Sequence, residues 1–353
     1  MQQIVNRIQT SRPYDVVIGP GLLDGLGGLA AKVLPRCKTA VITDSNVAPL
    51  YLRRALESLK GAGFSCASLA FEAGEKSKTM TTLSQILEFM AVSSLTRSDA
   101  VIALGGGVTG DMAGFAAGIY QRGIPFIQVP TTLLADVDSS VGGKTAVDLK
   151  AGKNLAGLFW QPDLVVCDTD TLKTLPREIF NDGMAEAIKY GVLTDPELFE
   201  EFAQGRAESS LPSIISRCVE IKARYVACDE HDRGVRTFLN LGHTMGHAIE
   251  KLSRYTCLHG HAVAIGMVMA ARAGEKLGIT RPGTAATLVG ALERCGLPTK
   301  SPYSPQELAS AALADKKRSG GEITFIFIED IGRCILKKVP VDKLLEIAIL
   351  GKE

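Results

Sequence analysis

Five short runs rich in β-branched residues punctuate the first half of the sequence: Asp15–Ile18, Thr39–Thr43, Ala100–Leu104, Phe126–Val129 and Leu164–Cys167. Helical stretches such as Val47–Gly61 and Lys78–Val92 lie between them. This alternation constrains the fold more than any other feature, because repeated βαβ units build a parallel sheet covered by helices. The last four runs end in small or polar clusters: Thr43-Asp44-Ser45, Gly105-Gly106-Gly107, Pro130-Thr131-Thr132 and Asp168-Thr169-Asp170. Ligands of open α/β sheets sit at the carboxyl ends of strands, so these clusters are the first candidates for a site.

After Pro176 the pattern changes to amphipathic helical segments: Asp182–Gly191, Pro196–Gly205, Leu211–Asp229, Thr244–Tyr255, Ala262–Leu277, Gly283–Cys295 and Pro305–Ala314. One hairpin interrupts them, Glu322–Ile328 with Cys334–Val339. The expected architecture is an α/β domain over residues 1–178 and a mainly helical domain over 179–353, a division that suits 353 residues. With 46% hydrophobic and 22% charged residues the chain has an ordinary globular balance. A net charge of +1 gives no long-range field toward nucleic acid or an acidic membrane surface, so charge used on an anionic ligand must be local. The eight cysteines form no CxxC pair and read as thiols in a reducing compartment. The first residues, MQQIVNRIQTSRPYDVVIG, lack the apolar core of a secretory signal, and no apolar run is long enough to span a membrane. Ala262–Ala271, apolar but short and small, reads as a buried helix, and a cytoplasmic location is expected.

From Asp99 to Gly118 an apolar strand runs into Gly105-Gly106-Gly107-Val108-Thr109-Gly110-Asp111 and then into a small-residue helix. Gly105, Gly107 and Gly110 have the GxGxxG spacing, which lets backbone approach a pyrophosphate at a helix N-terminus. A tight structural turn would leave the same trace. The acidic residue expected about 20 positions on is missing, since Ile124–Thr132 holds no carboxylate. Asp44, just after an earlier strand, is the substitute for binding a ribose.

All five histidines fall between positions 231 and 261. His243 and His247 share a helix face at i and i+4, and His259 and His261 follow closely. Such a cluster suits zinc, which in catalytic sites takes three protein ligands, often two histidines and a carboxylate. Glu186, among small apolar neighbours in GMAEAIKYG, is a candidate third ligand, and Lys189 lies on the same face. An internal Glu186–Lys189 ion pair and hydrogen-bonded histidines in a helical core are the plainer alternatives. Lys144 and Lys153 stand among glycines in loop-like segments and suit a phosphate, with Arg122, Lys222, Arg236, Lys316 and Lys317 as further anion contacts.

Four stretches together resemble the 3-dehydroquinate synthases of the sugar phosphate cyclase family: GGGVTGD at 105–111, VPTTLLADVDSSVGGKTAVDLKAGKN at 129–154, GMAEAIKYG at 183–191 and NLGHTMGHAIE at 240–250 followed by LHG at 258–260. The resemblance runs from about Asp44 to Gly332. It implies a Rossmann-like NAD-binding domain followed by a helical domain that binds zinc, or cobalt, through Glu186, His243 and His259. It implies NAD contacts from Asp44, Asn46, Glu75, Lys78, Gly106, Gly107, Val108, Thr109, Gly110, Asp111, Thr131, Thr132, Lys144, Lys153 and the loop of Thr171, Leu172, Lys173 and Thr174. Catalytic roles would fall to Lys189, His247, Asp138, Lys144 and Asn240. The substrate's phosphate and carboxylate would be held by Lys144, Lys153, Asn154, Lys222, Arg236 and one or both of Lys316 and Lys317, with Arg122 reaching a neighbouring subunit's phosphate site in a homodimer.

The implied reaction turns 3-deoxy-D-arabino-heptulosonate 7-phosphate into 3-dehydroquinate and phosphate. It proceeds through transient oxidation by NAD, β-elimination, re-reduction and aldol closure. One departure is visible: where the family usually reads His-Gly-Glu, this chain has His261, an extra donor or ligand beside the metal. Competing readings are another sugar phosphate cyclase, a metal-dependent polyol dehydrogenase, and a nucleotide-binding sensor that lost the chemistry. Lys222 and Arg236 favour a carboxylate-bearing substrate over the first, Lys144 and Lys153 favour a phosphorylated one over the second, and the full set of site-type residues disfavours the third.

Overall fold

The computed structural model describes residues 3–316 and 321–352. The chain divides into two compact units, Met1–Leu175 with Lys222–His231, and Pro176–Ile221 with Asp232–Glu353.

In the first unit the elements follow as β1 (Ile4–Ile8), β2 (Tyr14–Gly19), α1 (Leu26–Val33), β3 (Lys38–Asp44), α2 (Arg53–Gly61), β4 (Ser65–Phe71), α3 (Met80–Val92), β5 (Ala100–Gly105), α4 (Gly107–Ile119), β6 (Phe126–Pro130), β7 (Lys144–Leu149), β8 (Gly152–Phe159) and β9 (Leu164–Asp168). Seven strands form one sheet in the order β1-β2-β9-β6-β5-β3-β4, parallel throughout except for the β1–β2 hairpin. The central strands are apolar on both faces because both faces are covered. Val41, Ile102, Leu104, Ile127 and Val129 pack with α1 and α2, while their neighbours Ala40, Ile42, Val101, Ala103 and Phe126 pack with α3 and α4. The connection from β3 leads outward to β4, whereas that from β5 leads the opposite way to β6. The carboxyl ends of β3 and β5, Asp44 and Gly105, therefore flank a topological switch point, where open α/β sheets bind ligands.

Three features differ from the sequence reading. The helix expected over Val47–Gly61 opens with a wider turn at Ala48–Leu52, where Pro49 has no N–H to donate, before α2 begins. The edge strands β1 and β4 carry short, weak alternation and are not among the five runs singled out in the sequence. The glycine-flanked lysine segments are not flexible loops either. They form an antiparallel hairpin, β7 with β8, whose Val147 is buried in the core under α3 and α4.

The second unit consists of α5 (Arg177–Thr194), α6 (Pro196–Ala203), the start of α7 (Leu211–Cys228), α8 (His243–Leu252), α9 (His259–Lys276), α10 (Thr284–Arg294), α11 (Pro305–Lys316), the antiparallel hairpin β10 (Glu322–Asp330) with β11 (Arg333–Pro340), and α12 (Leu344–Lys352). Helix α9 is buried almost all round, as its unbroken run of small and apolar residues requires. Helices α8 and α9 touch through backbone: a Cβ on Gly266 would lie 2.0 Å from the Gly242 carbonyl oxygen, and one on Gly242 would lie 2.7 Å from that of Val263. Gly242 also has φ +81°, the left-handed turn that launches α8 directly into His243. No helix among the described residues is long and apolar enough to cross a membrane.

Candidate functional site

The second unit gathers a carboxylate and two imidazoles from three helices. Glu186 and Lys189 lie one turn apart on α5, 0% and 1% exposed, and form an ion pair. His243 opens α8 and His259 opens α9. Their Nε2 atoms lie 3.7 and 3.5 Å from Glu186 Oε1, and one ligand atom from each of the three residues falls within 4.8 Å of the others. His243 Nδ1 lies 3.1 Å from the Leu241 carbonyl, which takes its N–H and leaves the Nε2 lone pair facing Glu186. Burial pushes the His243 pKa down to about 3, so its ring is neutral, as a ligand must be. Burial also works against a charged His259. Its hydrogen bonds to Glu186 and Glu250 outweigh that and hold its pKa at about 10, so positive charge is favoured between the two carboxylates. A buried carboxylate, a neutral imidazole and a position that favours a cation fit a divalent metal with mixed nitrogen and oxygen ligands.

His247, one turn beyond His243, is exposed, with ring centroids 5.3 Å from His243 and 6.1 Å from His259. Asn240, His243, Thr244 and His247 line a cavity of about 490 Å³, together with Thr324 and Lys338 from the β10–β11 hairpin. Arg236 is buried on the short helical turn Val235–Asn240 that precedes α8. His261 points elsewhere: its backbone N–H and Nδ1 lie 3.0 and 3.1 Å from Asp182 Oδ1, and it is not in the metal-type cluster. Lys317 and the side chain of Lys316 lie outside the described residues.

In the first unit, Asp44 at the end of β3 accepts hydrogen bonds from the backbone N–H groups of Asn46 and Val47 and from Thr109 Oγ1 at 3.0 Å. This last bond ties the two sides of the switch point together. Helix α4 begins at Gly107 with no side chain capping it, so its first N–H groups remain available to an anion. Thr131 Oγ1, at the end of β6, is buried with no hydrogen-bond partner among the described residues. An uncapped helix start and an orphaned hydroxyl at a switch point fit a dinucleotide. The Thr171-Leu172-Lys173-Thr174 turn is held by Tyr51, whose hydroxyl lies 3.1 Å from the Thr171 carbonyl and 2.5 Å from Thr174 Oγ1.

The first unit also holds a charged network. Lys78 pairs with Asp111 at 2.6 Å and donates to Asn154 Oδ1 at 2.5 Å, and Lys153 pairs with Glu75 at 3.1 Å. Burial opposes the Lys78 charge, yet Asp111 and Glu75 hold its pKa above the usual lysine value. Lys144, at the start of β7, is exposed. Lys222 meets Asp138 twice, at the carboxylate Oδ1 (2.5 Å) and at the backbone carbonyl (2.6 Å). Arg122 is exposed and has φ +70°, following Gln121 at φ +51°.

Sequence reasoning missed three acidic residues that touch these groups. Glu250 Oε2 lies 3.3 Å from His259 Nδ1, Asp182 holds His261, and Asp148 accepts from the Asn154 N–H. Only Glu250 carried a readable signal, its i+3 spacing from His247.

Comparison with known proteins bears on the whole chain. Residues 68–182 match the family model described as 3-dehydroquinate synthase N-terminal, and residues 183–318 the one described as 3-dehydroquinate synthase C-terminal. A 3-dehydroquinate synthase from Streptococcus suis (strain 05ZYH33) is 44% identical over 341 residues, covering 95% of this chain and 96% of that protein. One from Sinorhizobium medicae (strain WSM419) is 46% identical over 352 residues, covering 95% and 92%. Among solved structures, a 2-deoxy-scyllo-inosose synthase complexed with carbaglucose-6-phosphate, NAD+ and Co2+ superposes with a TM-score of 0.87 at 26% identity, covering 98% of this chain and 99% of that one. A 2-epi-5-epi-valiolone synthase from Streptomyces hygroscopicus subsp. jinggangensis 5008, with NAD+ and Zn2+ bound, shares the fold with a TM-score of 0.88 at 24% identity, covering 99% and 98%.

Proposed function

The chain belongs to the 3-dehydroquinate synthase family, and from that premise we propose how its own residues carry the reaction. The enzyme converts 3-deoxy-D-arabino-heptulosonate 7-phosphate to 3-dehydroquinate and phosphate, a step of the shikimate route to aromatic amino acids. The observation that carries the residue assignment is the meeting of Glu186, His243 and His259 beside the buried Lys189.

Those three residues would hold Zn2+ or Co2+, which when bound supplies a Lewis acid that lowers the pKa of a substrate hydroxyl. Asp44, Thr131 and the Gly106–Asp111 turn would hold NAD, which supplies a hydride acceptor and gives the hydride back within the same turnover. The remaining work is binding, orientation and proton transfer. Lys144, Lys153 and Asn154 bind the phosphate, the lysines as point charges and the asparagine as a neutral donor. Lys222 and Arg236 bind the carboxylate through charge-assisted hydrogen bonds, Arg236 with a planar fork suited to two oxygens. His247, exposed in the cavity one turn from His243, moves a proton to and from the substrate. Lys189 keeps Glu186 ionised and presents a proton in a site closed to water. Asn240 and Asp138 orient the reacting hydroxyls, and holding one flexible molecule in register with each of these groups supplies much of the acceleration.

A homodimer in a cytoplasmic setting completes the reading. The exposed, left-handed Arg122 supports the first, since such strain is kept where a side chain must be aimed. The eight cysteines, none of them in a disulfide, support the second. The test is to supply metal-loaded protein and NAD with the heptulosonate phosphate and to follow phosphate and NADH together. Phosphate release without lasting NADH, abolished by a chelator, is expected. Lasting NADH would point to a polyol dehydrogenase, and turnover of sedoheptulose 7-phosphate in its place to another cyclase.

A further inference from the structure

Asp148 lies at the hub of the first unit's charged network, and no role in metal, nucleotide or substrate binding has been assigned to it. It sits at the irregularity in the β7–β8 register between Val147 and Leu149, which turns it out of the ladder. Its backbone N–H donates to the Lys78 carbonyl at 2.8 Å, and its Oδ1 accepts the backbone N–H of Asn154 at 2.7 Å. Asn154 has φ +54°, a conformation that asparagine tolerates but does not prefer. In that conformation its Oδ1 receives Lys78 Nζ at 2.5 Å. One half-buried residue thus joins the turn before α3, which carries Lys78, through its backbone N–H, to the start of β8, which carries Lys153 and Asn154, through its carboxylate.

We propose that Asp148 is a positioning residue: it locks Asn154 in the left-handed conformation and so sets Asn154 and the adjacent Lys153 for the substrate's phosphate. It touches neither substrate nor cofactor itself. What it gives Asn154 is an acceptor atom, so an amide oxygen at the same place serves as well as a carboxylate. Without that acceptor the Asn154 backbone relaxes toward negative φ, and both side chains swing away from the anion. The Asp148 N–H bond to the Lys78 carbonyl survives any side-chain change, and Lys78 Nζ keeps its ion pair with Asp111 when Asn154 leaves, so the nucleotide side of the network stays in place. The proposal rests on the assignment of Lys153 and Asn154 to the phosphate.

The experiment is steady-state kinetics on the metal- and NAD-loaded enzyme. Asp148→Ala should raise KM for the heptulosonate phosphate about tenfold while kcat changes less than about threefold and NAD affinity less than about twofold. Asp148→Asn should return KM to within about twofold of wild type, because its amide oxygen still accepts the Asn154 N–H. The double variant Asp148→Ala/Asn154→Ala should raise KM by less than the two single effects combined, since the Asn154 amide, part of what the clamp aims, is then already gone. An unchanged KM in Asp148→Ala, full additivity in the double variant, or failure of Asp148→Asn to rescue at a wild-type melting temperature would each overturn it. The last outcome would mean that the charge matters, not the clamp. A wild-type enzyme that releases no phosphate would instead remove the phosphate assignment beneath the proposal, and the proposal with it.

Discussion

Asp136 is fully buried beside Cys167, and neither carboxylate oxygen has a conventional hydrogen-bond partner among the described residues. Burial pushes its pKa well above the usual carboxylate value, and nearby Asp168 adds to the shift. A pKa raised in the folded state means stability that is fully present below the unfolded pKa, near 4, and lost as pH rises toward the folded one. Asp136→Asn should therefore flatten the fall in stability between pH 5 and pH 8, as read by urea unfolding at the two pH values. An unchanged slope would show that Asp136 stays ionised in the fold. Glu250 gives a second residue-scale expectation. Its contact with His259 Nδ1 orients that ring for a metal at Nε2, so Glu250→Gln should weaken Zn2+ binding by about 10- to 100-fold in competition with a chromogenic chelator, with the metal-free melting temperature little changed. At this scale the sequence was legible where chemistry is written in residue type, as in the histidine cluster and the acid within GMAEAIKYG. It was not legible where a role depends on which helices cross: nothing in the spacing shows that Glu250 of one helix meets His259 of the next.

At the scale of elements, the candidate metal group depends on how closely α8 approaches α9. Gly266 lies against the Gly242 carbonyl with no room for a methyl group, and Gly242 immediately precedes His243. Gly266→Ala should force the helices apart, destabilising the protein by about 1–3 kcal/mol and weakening Zn2+ binding as His243 and His259 separate. Urea titration and the same chelator competition would measure both effects. Loss of stability with unchanged metal affinity would show that the ligands move together. The central strands and the long helices were readable because burial on both faces, or along one stripe, leaves an apolar period behind. The β7–β8 hairpin was not, since its glycines and lysines have the composition of a loop and its pairing is fixed by the core under α3 and α4. The β1 and β4 edges escaped for a related reason: an edge strand needs little hydrophobic pattern.

For the molecule as a whole, the separation into two units predicts that ligands act on different parts of the unfolding profile. NAD should raise the stability of the first unit and Zn2+ that of the second, each by about 4 kcal/mol at a thousandfold excess over its dissociation constant. Differential scanning calorimetry of the metal-free chain, then with each ligand in turn, should show the two ligands moving different portions of the endotherm. A single transition shifted equally by both would mean that the units unfold as one.

The composition of the first unit also sets a clock on biosynthesis. Its sheet is finished when Leu175 has been made, yet Lys222, the partner of Asp138, is encoded beyond residues 176–221, which belong to the other unit. At about 5–20 residues per second the nascent sheet waits on the order of seconds for that lysine to emerge. No single cut in the gene yields both halves whole. A ribosome-bound chain stopped after the ninth strand would hold a nearly complete nucleotide fold still lacking the cation beside Asp138, so translation speed through the intervening helices becomes part of how this protein is assembled.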